Sequence, residues 1–306
     1  MSRSVVFGAG QVGRHVASRL VASGSSVTAV SRSGREQIAG AENVAGDATD
    51  AAFTTATCAG ADTVYFCLDA PDYGRWPEQF PPLQRGVLAG ARSAGARLVV
   101  LENLYGYGRV AGPLHEGLPA AATSPKARTR IAMTEELLAS GVEVAIGRAS
   151  DYFGPGVTHS ALGELVFESL LQGSTAQIMG NPDRPHSYSY TPDVAAGLVA
   201  LGSSDAAVGH VWHLPIAATW TTRQVIQRVA EQAGTKPKLF AAGRTSLRLY
   251  GLVRPAMREY LHTLHQFTDD WVVSDAKFRA AFGDLSTPLD EALAATVDWY
   301  RGREQS

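Results

Sequence analysis

Val5-Val6-Phe7-Gly8-Ala9-Gly10-Gln11-Val12-Gly13-Arg14-His15-Val16 is the stretch that decides how the chain folds. Ser4–Phe7 is short and apolar and reads as a strand. Val12, Val16, Leu20 and Val21 then fall near helical spacing, which predicts a helix over Gln11–Ala22. Between them stands G-x-G-x-x-G. A strand before this motif and a helix after it are what give it meaning. The first glycine makes the tight turn, the second lets the backbone approach a pyrophosphate, and the third lets helix and strand pack closely. Phosphates then meet free N–H groups at a helix N-terminus. Gly8, Gly10, Gln11, Val12 and Gly13 are the candidate dinucleotide contacts.

Working outward, the first half alternates. Strands are predicted at Val27–Val30, Asn43–Gly46, Thr63–Leu68, Arg97–Leu101 and Val142–Ile146. Helices are predicted at Thr49–Cys58, Leu83–Ala94 and Pro125–Ser140, the last two ended by Gly95 and Gly141. This rhythm predicts an α/β protein with a Rossmann-type, doubly wound parallel sheet over 1–150. Over 151–306 the rhythm is lost. Helices at Leu162–Leu171, Arg223–Ala233 and Leu289–Trp299 are separated by turn-rich pieces such as Gly180-Asn181-Pro182-Asp183. A smaller, mostly helical substrate lobe over the C-terminal edge of the sheet is expected, where open α/β sheets bind ligands.

The end of the second strand reads Val30-Ser31-Arg32-Ser33-Gly34-Arg35. An NAD site places Asp or Glu about 20 residues beyond the glycines to hold the ribose. No acid stands there. Arg32 and Arg35 flank two serines, a nest suited to a 2′-phosphate. NADP(H) is therefore expected in preference to NAD(H). Asp47, after the third predicted strand, is placed to hold the adenine edge.

Composition narrows the classes. The 306 residues include 31 glycines and 15 prolines, too few for a collagen or low-complexity chain. Hydrophobic residues make up 45%, enough for a sizeable core, and charged residues only 18%. The net charge of -2 lacks the basic excess of a nucleic-acid binder. With no membrane-length apolar run and no leader-like N-terminus, a cytoplasmic, unprocessed protein with a small-molecule substrate is expected. Cys58 and Cys67 read as small buried side chains rather than a redox pair. Glu259, His262 and His265 share one helix side, but without paired ligand spacing they read as a polar face, and no metal is expected.

The chain resembles the short-chain dehydrogenase/reductases in their extended and atypical branches, the NAD-dependent epimerase/dehydratase-like proteins. The resemblance spans nearly the whole sequence. It rests on the glycine turn, Gly46-Asp47, Glu102–Gly108 and Ser124–Leu138. It continues through Gly147–Gly156, His186–Val194, Ser274–Phe278 and Thr287-Pro288-Leu289. It implies a bound nicotinamide, hydride transfer, exchange of some later segments back into the first lobe, and a monomer or homodimer. Family geometry adds Leu68, Lys126 and Ala149 to the cofactor contacts.

The family's usual Ser/Thr, Tyr and Lys fall here on Asn103, Lys126 and Arg130; a register that keeps Lys126 as the Lys puts Ala122 at the Tyr, so neither recovers the pair and that triad is not carried over. Three readings follow. In the first, an NADPH-dependent ketoreductase acts on a bulky aromatic ketone, as in polyketide tailoring, with substrate or water supplying the proton. In the second, the chain is a non-catalytic NADP(H) sensor. In the third, it is a nucleotide-sugar epimerase or dehydratase. Trp76, Tyr105, Tyr152, Phe153 and His186 are the candidate substrate contacts; for Trp76, packing of the loop after the fourth strand is the competing role. Lys126 either reaches the nicotinamide ribose or is a solvated first-turn lysine.

Overall fold

The computed structural model describes residues 1–253 and 255–304. The strands are β1 (Arg3–Phe7), β2 (Ser26–Ser31), β3 (Glu42–Ala45), β4 (Thr63–Phe66), β5 (Arg97–Glu102) and β6 (Val144–Arg148). The second half adds β7 (Asp151–Phe153), β8 (Ala176–Met179), β9 (Pro185–Tyr190), β10 (Val211–His213), β11 (Ala218–Thr221) and β12 (Leu239–Ala242). The helices are α1 (Gly13–Ala22), α2 (Ala51–Cys58), α3 (Trp76–Ala94), α4 (Pro125–Leu138), α5 (Phe167–Leu171) and α6 (Thr191–Gly202). They continue with α7 (Thr222–Ala233), α8 (Arg244–Val253), α9 (His265–Thr268), α10 (Ala276–Phe282) and α11 (Leu289–Glu304).

Seven strands form one sheet in the order β10-β6-β5-β4-β1-β2-β3, every pair parallel. The strand order reverses direction at β1, between β2 and β4, and a crevice at such a switch point is where α/β sheets take ligands. Each central strand is apolar on both faces, as a parallel sheet covered by helices requires. Val5, Phe7, Val64, Phe66, Leu98 and Val100 face one core, closed by Val87 and Leu88 of α3 and Met133 and Leu137 of α4. Val6, Tyr65, Val99 and Ala145 alternate onto the other, closed by Val16 and Leu20 of α1 and Val194 and Leu198 of α6.

The fold is thus the Rossmann-type α/β sheet with a helical C-terminal part. Three local differences from the sequence reading have physical reasons. The third helix starts at Trp76, not Leu83. Pro77, Pro81 and Pro82 obscure its first turns, and burial of Trp76 and Phe80 holds those turns in place. Helix α6 has no polar face to betray it, because nine of its residues are buried, so it lacks amphipathic periodicity. The turn-rich pieces of the second half contain two small sheets, β11-β9-β7 and β12-β8.

Segments from the second half complete the first layer. β10 extends the large sheet beside β6, and α6 packs on α1 and β5. Asp193 at the start of α6 accepts hydrogen bonds from the N–H and hydroxyl of Thr287, both at 2.7 Å, which ties the tail before α11 to the sheet. Among the described residues no helix is long and apolar enough to cross a membrane.

His213 closes β10 without any exposure. Its Nδ1 lies 3.0 Å from the Ser274 carbonyl and its Nε2 2.9 Å from the Tyr107 hydroxyl, an arrangement that suits the neutral ring. Burial pushes its pKa down from 6.5 to about 4. Between those values the unfolded chain binds a proton that the folded one refuses. Stability from this group is therefore complete above pH 6.5 and lost as pH falls toward 4, by up to ~1.4 kcal/mol per pH unit. Denaturant melts of wild type and His213→Gln across that window should show a shallower acid slope in the variant.

Candidate functional site

The glycine turn carries out three different tasks. Gly8 has φ +101°, and a Cβ there would lie 2.5 Å from the Cys67 carbonyl oxygen. A Cβ on Gly13 would lie 1.7 Å from the carbonyl oxygen of Gly8. At Gly10 a Cβ would meet nothing within 4 Å. The first and third glycines are therefore demanded by the protein's own packing. The second leaves an open backbone surface at the start of α1, as a pyrophosphate cradle requires. Cys67 lies under this contact, and burial pushes its thiol up to about 12. Burial likewise raises Cys58, to about 11, so neither thiol is poised to react.

Neighbouring predicted contacts are arranged less simply. The Gln11 side chain accepts hydrogen bonds from the N–H groups of Thr158 and His159, at 3.0 and 3.3 Å, and so straps the turn to the loop after β7. Val12 and Ala149 are buried, and Leu68 is half-buried after β4. Asp47 is exposed; its carboxylate turns onto the N–H and hydroxyl of Thr49, and those bonds hold it below the usual carboxylate range.

The end of β2 carries charges of both signs. Arg32 and Arg35 are exposed there, but an acid is present as well. The chain turns at Ser33-Gly34, and Glu36 comes back so that the Ser33 hydroxyl donates to its carboxylate at 3.1 Å. Hydrogen bonds from Ser31, the last residue of β2, and from Ser33 hold the Glu36 carboxyl below its ordinary range. The strand end thus carries two exposed arginines and one carboxylate.

A second group of residues gathers where β4, β5 and β6 end. Lys126, in the first turn of α4, is 1% exposed. Its ammonium lies 2.8 Å from Glu259 and 3.5 Å from the centre of the Tyr73 ring. Burial lowers the Lys126 pKa, while Glu259 opposes that shift. Lys126 is thus neither solvated nor unpaired. Tyr73 stacks on Tyr260 at 5.0 Å, and its hydroxyl lies 3.2 Å from that of Tyr105. Burial raises the Tyr105 phenol well above its ordinary pKa, with neighbouring Tyr73, Asp151 and Asp69 adding to the effect.

One turn along α4, Arg130 pairs with Glu102 at the end of β5. Arg148 of β6 approaches the same carboxylate at 3.4 Å. All three are buried. Two guanidiniums thus share one buried carboxylate. Asn103 spends its side-chain oxygen on the N–H of Tyr105, at 3.0 Å.

Three of the predicted substrate contacts are buried side chains. Trp76 is the first residue of α3, 5% exposed, and stacks behind Tyr105 at 5.5 Å. Phe153 has no exposure and belongs to the core of the second half. His186 is buried, with Nε2 at 2.8 Å from Asp151 and Nδ1 at 3.1 Å from the Gln266 carbonyl. Tyr105 and Tyr152 remain half-buried at the edge.

Tyr73, Glu259, Tyr260 and Asp151 escaped the sequence reading. Asp151 carried a signal, since it follows the Gly147–Ser150 segment on which the resemblance rests. Glu259 was read only as part of a polar helix face. Among the described residues no group of three or more His, Cys, Asp or Glu could hold a metal.

Residues 8–150 match the family model described as NAD(P)H-binding. Nothing among curated proteins matches the chain in sequence. Solved structures match over its full length. The dTDP-glucose 4,6-dehydratase of Streptomyces venezuelae, solved with NAD bound, is 19% identical, covers 100% of this chain and 98% of its own, and superposes with a TM-score of 0.80. That of Bacillus anthracis, also with NAD, is 14% identical with 100% and 98% coverage and a TM-score of 0.81. A nucleoside-diphosphate-sugar epimerase of Pseudomonas aeruginosa is 19% identical with 99% and 98% coverage and a TM-score of 0.76. At these identities the likeness speaks for the fold.

The glycine geometry separates two substitutions. Gly10→Ala should leave the melting temperature within a degree or two (roughly ±0.5 kcal/mol) yet weaken NAD(H) or NADP(H) binding measured by calorimetry. Gly13→Ala should lower both stability and binding, because its Cβ meets backbone rather than open space.

Proposed function

We propose that the protein is a pyridine-nucleotide-dependent oxidoreductase that reduces the ketone of a bulky aromatic, polyketide-like small molecule. The observation that carries this reading is the glycine turn, packed shut at Gly8 and Gly13 and open at Gly10, on the same sheet edge as Lys126 and Tyr105. The nicotinamide, when bound, supplies the hydride. The chain's own residues bind and orient: the α1 N-terminus would take the pyrophosphate, and Tyr105, half-buried and backed by Trp76, would contact an aromatic substrate.

Protonation is the weak point of the protein's own side chains. A useful general acid has a pKa near the working pH. Burial moves Tyr105 and Tyr152 the other way. Lys126 is engaged by Glu259, and His186 is held between Asp151 and a carbonyl. A hydroxyl beside the substrate's carbonyl, or water, is therefore the proton source in this reading. Hydride positioning carries the rate, since well-oriented reactants can gain about 7–11 kcal/mol.

The structural relatives favour a second reading, an epimerase or dehydratase acting on a nucleotide sugar. A protein that binds the nucleotide without turnover is a third. One assay separates them. The purified chain is given NADH or NADPH with aromatic ketones bearing or lacking a neighbouring hydroxyl, and separately NAD or NADP with dTDP- and UDP-sugars. Consumption of reduced cofactor with the hydroxylated ketones alone is expected. Conversion of a sugar nucleotide would establish the second reading, and binding without turnover of either set the third.

Lys126→Gln, Tyr105→Phe and Tyr152→Phe should each keep kcat within about tenfold, because loss of a true general acid costs ~10²–10⁴. A larger fall in one variant with intact cofactor binding would transfer the proton to that residue.

A further inference from the structure

We propose that Lys126 is an anion-binding residue of the substrate edge, and that Glu259 holds its place until the carboxylate of an aromatic substrate displaces it. This deepens the reading of an aromatic substrate and rests on it. Lys126 is the second residue of α4, where the helix dipole disfavours a cation and favours an anion. Burial of its side chain disfavours the charged form further. An ammonium so placed needs a partner of opposite sign. Among the described residues the Glu259 carboxylate, at 2.8 Å, is the only acceptor of its hydrogen bonds. Asp72, whose charge also favours the ammonium, spends its carboxylate on the N–H of Gly74 at 2.8 Å.

The two partners are unequal. The Glu259 side chain is 31% exposed and that of Lys126 1%. Swinging outward returns the Glu259 carboxylate to water, while Lys126 stays where α4 fixes it and needs another anion. Tyr260, the next residue, stacks on Tyr73 at 5.0 Å. Glu259 and Tyr260 together thus present a carboxylate and an aromatic ring, the two groups of an aromatic acid. The place adjoins the candidate substrate contacts. The Lys126 ammonium lies 3.5 Å from the centre of the Tyr73 ring, and the Tyr73 hydroxyl lies 3.2 Å from that of Tyr105. One ring therefore separates the ammonium from Tyr105, so a substrate lying against Tyr105 brings an acidic substituent toward Lys126. In this role Lys126 keeps its proton, and its loss acts on KM rather than on kcat.

The test needs no turnover. The full-length protein is titrated calorimetrically with 2-naphthoate and with its neutral isostere 2-naphthamide. Glu259→Gln removes the internal competitor. It should tighten the acid by at least about tenfold, the difference between a charged and a neutral hydrogen bond, and leave the amide within about threefold of wild type. Glu135→Gln, an exposed site on α4, makes the same change in net charge and should leave both affinities as in wild type. Lys126→Gln should abolish any preference for the acid, and Lys126→Arg should keep it. If Lys126→Gln does not fold, the comparison of Glu259→Gln with wild type decides. Acid binding no tighter in Glu259→Gln than in wild type, or an undiminished preference in Lys126→Gln, overturns the role of Lys126 alone, and binding of the amide then upholds the aromatic reading. Failure of every form to bind either ligand overturns the aromatic reading as well.

Discussion

Helix α1 can approach β1 only because two backbones touch where side chains would normally stand. The carbonyl oxygen of Gly8 occupies the space a Gly13 Cβ would need, and Gly8 itself sits against the Cys67 carbonyl at the end of β4. This contact sets the height of α1 over the sheet, and the start of α1 sets where an anion can lie. It also joins three strands at one point, since Gly8 hydrogen-bonds to β2 and Cys67 to Phe7. Gly10 then remains open, and its freedom is a consequence of the closure on either side.

A second constraint is charge held away from water. Glu102, Arg130 and Arg148 are buried together under the end of α4, and Lys126 is buried one turn earlier against Glu259. Removing one partner from the fully buried Glu102–Arg130–Arg148 group costs about 3–5 kcal/mol, because an uncompensated charge stays behind. These residues hold the strand ends of β5 and β6, the first turn of α4 and the segment carrying Glu259 and Tyr260 in register with one another. The aromatic stack Tyr260–Tyr73 and the Trp76–Tyr105 pair fill the space between. What resembles a catalytic position in the sequence is here also a structural joint.

Much of this was legible from local pattern. Apolar runs marked all six strands of the first half within a residue or two, and Gly95 marked the end of α3 through its left-handed conformation. Local pattern failed where its own signal was erased. Helix α6 is buried all round, so no polar stripe revealed it. The prolines of α3 hid two turns that tertiary burial of Trp76 and Phe80 sustains. Trp76 and Phe153 look like pocket residues by their place after a strand, but whether such a side chain lines a pocket or fills a core depends on what packs over it. His186 follows the same rule, since its ring is buried between Asp151 and the Gln266 carbonyl.

The sequence by itself determined the doubly wound sheet and the glycine turn, because strand periodicity and turn chemistry are written in residues a few positions apart. Tertiary structure alone decided the partners of the charged groups. Lys126 and Glu259 are 133 positions apart, and Glu102 and Arg148 are 46 apart. The physical reason is that a charge has no preference among distant partners until burial removes water as one of them.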